Sequence, residues 1–281
     1  IIAMGSGLGV LGTALGLPEV AVAGFAGALL HALNHALFKG LLFLGAGSVD
    51  HGAGTRDLDR LGGLLGPLPW TGTSFLIGSG AISGLPPLNG FMGEFLVFFA
   101  AIKALAGGPA VLGTAGVTVI AAMGLCGGLA AACFTKTFGA VFLGVPRSQP
   151  PGDIREEGFW LRAPLATLAA LCVLAALGAP RMTVLLAPLI APLARLSTPD
   201  ASAVLVPAAD LLERILLVGM AVAVGACSLF MLAAFLRRGR PVAAGPTWGC
   251  GFARPTPRMQ YTASSFAAPL PLDGELVFPA A

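Results

Sequence analysis

Residues 31–44 read HALNHALFKGLLFL. His31, His35 and Lys39 recur every fourth position, so on a helix they line one face. A rise of about 1.5 Å per residue spreads them over roughly 12 Å of axis. The residues around them are apolar, and an ionisable group inside a bilayer is costly enough that it marks an ion or proton pathway. Three such groups on one face make a row that can bind and pass on protons. Two His at i, i+4 can also hold zinc. No third Cys, Asp or Glu ligand lies close in sequence, however, and Lys39 on the same face would repel a cation. No metal and no cofactor are expected.

A second group of this kind is Glu94, in the stretch SGLPPLNGFMGEF. Pro86 and Pro87 remove backbone donors, and Gly84, Gly90 and Gly93 loosen the chain. The apolar run from residue 70 to residue 106 far exceeds the ~20 residues of one span. The expectation is a discontinuous helix, two half-helices joined by an unwound stretch near mid-membrane, broken at Pro86, Pro87 and Gly90. Breaks of this kind occur at transporter ion sites, where helix ends face a cavity. Glu94 then sits just past the break. The plainer alternative is an ordinary loop with Glu94 at the surface. Lys136, in AACFTKTFGAVFLG, either extends the proton path or snorkels to the interface. Asn34 and Asn89 are polar within apolar segments and could orient water or bond across helices.

The elements that must hold these groups follow from length. Apolar stretches run over 1–17, 20–49, 70–106, 110–143, 161–179 and 209–236. Between the last two, residues 182–196 (MTVLLAPLIAPLARL) are broken by Pro188 and Pro192 and read as interfacial or re-entrant. The predicted fold is all-α: a polytopic membrane helix bundle of about six transmembrane segments, one of them discontinuous. No internal repeat is visible.

Composition agrees. Charged residues make up 10% of the chain against 56% hydrophobic, where soluble domains carry about 25% charged. The net charge of +3 lies mostly in loops, which points to membrane orientation and away from nucleic acid. The five Cys are not paired at metal-ligand spacing and read as small packing residues. Trp70 and Trp160 fall at span edges, as interfacial aromatics do. Arg56, Arg60, Arg147, Arg155, Arg237, Arg238, Arg240, Arg254 and Arg258 fall on one side. The other carries little beyond Lys103, Arg181 and Arg195. The positive-inside rule makes the first side cytoplasmic, with the loops 50–68 and 144–160 and the tail. The helix with His31 then runs from outside to inside. The chain opens on IIAMGSGLGV, with no start Met and no charged leader, and reads as a piece of a longer polytopic protein.

HALNHALFKGLLFLGAGSV, then TRDLDRLGGL, then ISGLPPLNGFMGEF resemble the antiporter-like proton-translocating subunits of respiratory complex I and its relatives, over roughly residues 1–145. The tail TWGCGFARPTPRMQYTASSFAAPL resembles more narrowly the membrane subunits of group 4 [NiFe] hydrogenases, hydrogenase-4 and formate hydrogenlyase. The resemblance implies that residues 1–145 are the C-terminal part of the antiporter-like domain. Residues 146–236 would be additional transmembrane helices and residues 237–281 an irregular cytoplasmic tail. It matches His31, His35 and Lys39 to the family's central row. Glu94 matches the acidic or lysine residue on the broken helix, near the outward-leading half-channel. The family's earlier Glu–Lys pair has no counterpart in this chain.

Implied with these is a non-redox subunit with no catalytic centre of its own. It would couple electron transfer in partner subunits to the movement of protons or sodium. Its setting would be a bacterial or archaeal inner membrane, and its partners the other membrane and soluble subunits of the assembly. The alternatives are a complex I or cation/proton antiporter subunit, and a non-conducting membrane scaffold.

Overall fold

Proline opens several helices and left-handed glycine closes others, and between them the apolar runs fold without strands among the described residues. The computed structural model describes residues 1–147, 154–156, 158–239 and 260–264. In chain order they form α1 (Ile2–Ala14), α2 (Pro18–Ala53), α3 (Pro69–Ile82), α4 (Asn89–Gly107), α5 (Ala110–Phe142), α6 (Phe159–Leu185), α7 (Ala187–Ile190) and α8 (Thr198–Arg237). Pro18, Pro69 and Pro199 sit in the first turn of α2, α3 and α8. There a missing N–H costs nothing, because that donor would have no helical partner. Helix α1 ends in a Schellman motif: Leu17 N donates to Gly12 O at 2.8 Å, with Gly16 at φ 67°. Gly54, at φ 65°, closes α2.

Five helices (α2, α4, α5, α6 and α8) are long and apolar enough to cross a membrane, and α1 is a shorter apolar helix. The chain is a polytopic all-α membrane protein. Helix α2 is the central element, packed against α1, α3, α4, α6 and α8. Its contacts with α1 and α4 are made through small residues, which let backbones approach. A Cβ on Gly24 would lie 2.6 Å from Gly9 N of α1, and one on Gly27 2.8 Å from Val97 N of α4. At 36 residues, α2 is about 54 Å long, well beyond the ~30 Å hydrocarbon layer. Its last turns therefore reach past the membrane to the Thr55–Arg60 loop.

The apolar core is continuous from α2 and α4 into the later helices. Val22, Ala26 and Leu30 of α2 and Met92 and Leu96 of α4 share one cluster with Ala179, Ile190, Leu205 and Leu212. The segment 182–196 is where expectation and structure part most clearly. Residues 182–185 complete α6, which continues through Pro180, and Pro188 lies in the first turn of α7. Ala187, Ile190, Ala191 and Ala194 are buried in the shared core, while Leu185, Leu189 and Leu193 are exposed on the opposite face. Helix α8 begins at Thr198, eleven residues before the expected apolar start. Ser197 accepts from Asp200 N at 3.3 Å and caps it. Asp210, Glu213 and Arg214 thus lie within the helix and not at its start.

One end of the bundle is tied together by polar contacts. Glu156 accepts from Trp70 N at 2.9 Å and from Thr71 N at 3.2 Å, capping α3 with a carboxylate. Arg147 donates to Ala140 O at 2.6 Å, to Tyr261 O at 2.7 Å and to Leu61 O. The side chain of Gln260 bonds both the N–H and the C=O of Val145. Ser264 N donates to Asp59 at 2.9 Å, and the Ser264 hydroxyl and N–H hold the Asp59 carboxyl below the usual carboxylate range. The loops expected on one side therefore meet at one end. Trp70 and Trp160 stand exposed at the helix starts there. The tail beyond Gly239, including Arg240, Arg254 and Arg258, lies outside the described residues except for 260–264.

Candidate functional site

The expected break is present. Helix α3 stops at Ile82 with a Schellman motif, Leu85 N donating to Gly80 O at 3.2 Å and Gly84 N to Ala81 O at 3.1 Å. Gly84 takes the left-handed conformation at φ 64° that only glycine adopts without penalty. Leu88 N bonds back to Leu85 O at 2.9 Å, and α4 starts at Asn89. The two half-helices scarcely touch each other; α3 packs mainly on α2, α5 and α6, and α4 on α2 and α5. A hairpin would pack them side by side along their length, so this is a discontinuous helix.

Glycine lets the break close on itself. A Cβ on Gly90 would fall on the Ala81 carbonyl, and one on Gly84 would fall on the Glu94 carboxylate. Gly93 faces α2, where a Cβ would stand 2.6 Å from His31 Cα. These three positions bring the Glu94 half-helix against both the end of α3 and the histidine row.

His31, His35 and Glu94 line one open cavity of about 380 Å³, with Phe38 and Ile82, residues 1–3, and Cys126, Gly127 and Ala130 of α5 on its other walls. The two imidazoles are 6.1 Å apart between ring centroids, and Phe38 packs edge-on to both. His31 is only 4% exposed, and its Nδ1 has no hydrogen-bond partner. A buried imidazole nitrogen without a partner beside a cavity of this size is a site for ordered water. Glu94 is half-buried, and its carboxylate closes the side of the cavity at the break. Two bases and an acid around one space that holds several waters can exchange a proton through that space.

Lys39 continues the row one turn beyond His35, with Nζ 5.6 Å from the Phe43 ring centroid. It is half-buried and lies outside the cavity lining. Lys136 is on α5, six residues beyond Ala130. It is likewise half-exposed and is not brought to the cavity. Pro86 and Pro87 form the unwound turn, joined by a cis peptide bond. On the far side of that turn Gly219 of α8 meets Pro87; a Cβ there would lie 2.9 Å from Pro87 Cβ. Asn34 and Asn89 do bond across helices: Asn34 Nδ2 donates to Asn89 O at 2.8 Å and Asn89 Nδ2 to Asn34 Oδ1 at 3.3 Å.

Sequence reasoning missed Gly84 as the contact of Glu94 and Gly219 as the contact of the break. It also missed the acid–base group Arg181, Asp210 and Glu213, which lines a separate cleft of about 420 Å³ between α6 and α8. The signal for that group was in the sequence, since three charges in five residues interrupt a long apolar helix.

Residues 4–121 match the family described as NADH:quinone oxidoreductase/Mrp antiporter, TM. Hydrogenase-4 component B of Escherichia coli K12 is 41% identical over 179 residues, 64% of this chain and 27% of that protein. Formate hydrogenlyase subunit 3 of the same organism is 38% identical over 180 residues, 64% of this chain and 30% of its own length. This chain therefore spans less than a third of either relative. Among solved structures, a chain of the Mrp complex from Dietzia sp. DQ12-45-1b aligns with a TM-score of 0.47 and 20% identity, over 74% of this chain and 46% of that one. Over residues 4–121, less than half of its length, this chain is similar to the transmembrane domain of the NADH:quinone oxidoreductase/Mrp antiporter family.

Proposed function

We propose that this chain is part of a proton-translocating membrane subunit of a hydrogenase-4 or formate hydrogenlyase type complex, coupling electron transfer in partner subunits to ion movement. The observation that carries this reading is the shared cavity of His31, His35 and Glu94 at the helix break. The relatives with hydrogenase-4 and formate hydrogenlyase names favour that branch over complex I or an antiporter. In this reading residues 1–145 hold the conducting groups, and residues 146–236 add helices that brace the break from the side of α6 and α8. The arginines Arg56, Arg147 and Arg155 at the loop end support a cytoplasmic side for that end, and the bacterial relatives support a bacterial or archaeal inner membrane.

The proton route follows the geometry. A proton taken up by Glu94 passes through the cavity to His31 and His35, and Lys39 carries the row onward toward the loop end. Charge on each group alters the proton affinity of the next, because a low-dielectric interior screens poorly. Lys136 would extend the route only if water linked it to Lys39.

The test uses the full-length protein in its complex. Glu94→Gln keeps size and hydrogen bonding but cannot titrate. It should lower proton translocation in inverted vesicles by about tenfold or more, as loss of a proton-transfer group does. Lys39→Ala should act in the same direction. A native gel should show both variants assembled. Normal pumping by an assembled Glu94→Gln complex would overturn the assignment of the site.

A further inference from the structure

We infer that Asn34 and Asn89 form a positioning latch, which sets the Glu94 half-helix against the histidine row and so fixes the geometry of proton exchange. This rests on the proton-translocation reading given above, and goes beyond it by assigning a role to a pair outside the titrating groups.

The pair is placed where a latch would act. Asn34 lies on α2 between His31 and His35. Asn89 is the first residue of α4, directly after the unwound turn. Both side chains are fully buried, at 0% exposure. The bonds are reciprocal: Asn34 gives its amide N–H to the backbone carbonyl of Asn89, and Asn89 gives its own to the Asn34 side-chain oxygen. One of these holds backbone, so it locates the start of α4 and not merely a side chain. Apart from the exposed Lys103–Glu19 ion pair toward the other end of α4, the contacts along this seam are apolar or glycine-to-backbone, as at Gly27–Val97 and Gly93–His31. Such contacts set how close the helices come but leave α4 free to slide or turn. A directional two-bond link removes that freedom.

The arrangement also has a cost that packing alone would not require. Asn89 Oδ1 is buried without a partner. Replacing both amides by apolar side chains of similar shape would relieve it and can be nearly neutral for folding. That the site carries two amides in a lipid-facing bundle fits a demand for register. Register matters here because Glu94 is little more than one turn from Asn89. Lining the same space as its carboxylate are His31 and His35 from α2, Cys126 from α5 and residues 1–3 at the end of the chain with its amino group, and the Gly84 turn lies against it. A displacement of about 1 Å between reacting groups can cost up to a hundredfold in rate.

The deciding variant is the double replacement Asn34→Leu with Asn89→Leu in the full-length protein within its complex. It removes both side-chain amides at once, and of the groups they bonded only the Asn89 backbone carbonyl stays, in the first turn of α4; a purely structural pair would be largely restored by it. The expected result is a normally assembled complex whose protons translocated per turnover fall about tenfold. The pH profile of translocation should also be displaced, because the surroundings of Glu94 have changed. Native pumping with an unmoved pH profile would overturn the latch. Failure of the double variant to assemble would overturn it equally, since the amides would then be needed for folding. Glu94→Gln, run in parallel, separates this inference from the one beneath it. If Glu94→Gln pumps normally, the proton reading itself fails. If Glu94→Gln is inactive while the leucine pair pumps normally, the latch alone is wrong.

Discussion

Helix α4 and the second half of α8 are both strongly apolar, yet they pack in opposite ways. Against α2, α4 buries Met92, Gly93, Leu96, Val97 and Ala100. From Leu217 to Arg237, α8 buries none of its residues within this chain, although it contains the most hydropathic window of the five long helices. Apolarity therefore does not distinguish a helix that packs from one that faces lipid or another chain. The difference is made by small residues at the right spacing. On α4 and α2, Gly93 and Gly27 sit where a Cβ would strike backbone. On α8, a Cβ at Gly225 would meet nothing within 4 Å. In a bilayer, helices gain little from hiding apolar surface from equally apolar lipid, so close backbone approach decides which faces associate.

The strongest test of this contrast is a pair of alanine substitutions. Gly93→Ala places a methyl group 2.6 Å from His31 Cα and 2.7 Å from His31 N. Backbone cannot rotate away as a flexible side chain can, so the helices must separate. We expect a loss of at least about 2 kcal/mol, read as a lower unfolding midpoint in detergent or lipid and as lost assembly. Gly225→Ala should be neutral or raise stability by about 0.5 kcal/mol, because alanine restricts the unfolded chain. Equal losses from the two variants would break the comparison.

A smaller effect is expected at the border between the two regions. Gly219 marks the last close approach of α8 to the bundle, with its neighbour Pro87 in the unwound turn. A Cβ there would meet Pro87 Cβ at 2.9 Å and Pro87 N at 3.3 Å. The turn can yield a few tenths of an ångström, so Gly219→Ala should cost about 1 kcal/mol. The same unfolding measurement should place it between the other two. If it is as silent as Gly225→Ala, α8 does not brace the break.

How far these features could be read in advance differs by physical origin. The broken helix was legible because proline and glycine act locally: Pro86, Pro87 and Gly84 interrupt hydrogen bonding wherever the chain goes. The His31, His35 and Glu94 cavity was partly legible, since the row follows from helical period, but its α5 wall depends on packing that no local pattern records. The start of α8 was misplaced although its signal was present. Ser197, Pro199 and Asp200 form an ordinary helix entry, with Ser197 capping the first turn. The cap of α3 by Glu156 was not legible at all, because it joins residues 86 positions apart. Lys136 carries two readings from its sequence context, a place in the path and a place at the interface; on α5 it is half-exposed and outside the cavity lining.

The smallest effect is expected at the polar end, where the short segment 260–264 is held by hydrogen bonds with only Ala263 buried. This is the contrast with the α2–α4 seam in its extreme form: contact without a glycine seam and nearly without apolar burial. Asp59 accepts from Ser264, and that bonding lowers its proton affinity. A carboxyl whose folded value lies below its unfolded one contributes attachment fully above the ordinary carboxylate range. It loses that contribution as pH falls through the lowered value. Acid should therefore release the segment while the α2–α4 seam, held mainly by apolar and glycine contacts and by the Asn34–Asn89 amides, stays closed. The measurement is amide hydrogen exchange at Ser264 in the full-length protein, expressed as protection relative to the free peptide. Protection should fall by about two- to fivefold on acidification, a modest change because the pair is exposed to solvent. Asp59→Asn can still accept the bond but cannot titrate, so its protection should be lower at neutral pH and nearly independent of pH. An unchanged acid response in Asp59→Asn would show that another group holds the segment. Parallel loss of protection at Gly93 would show that the two regions open together, and that the seam and the polar end are one cooperative unit.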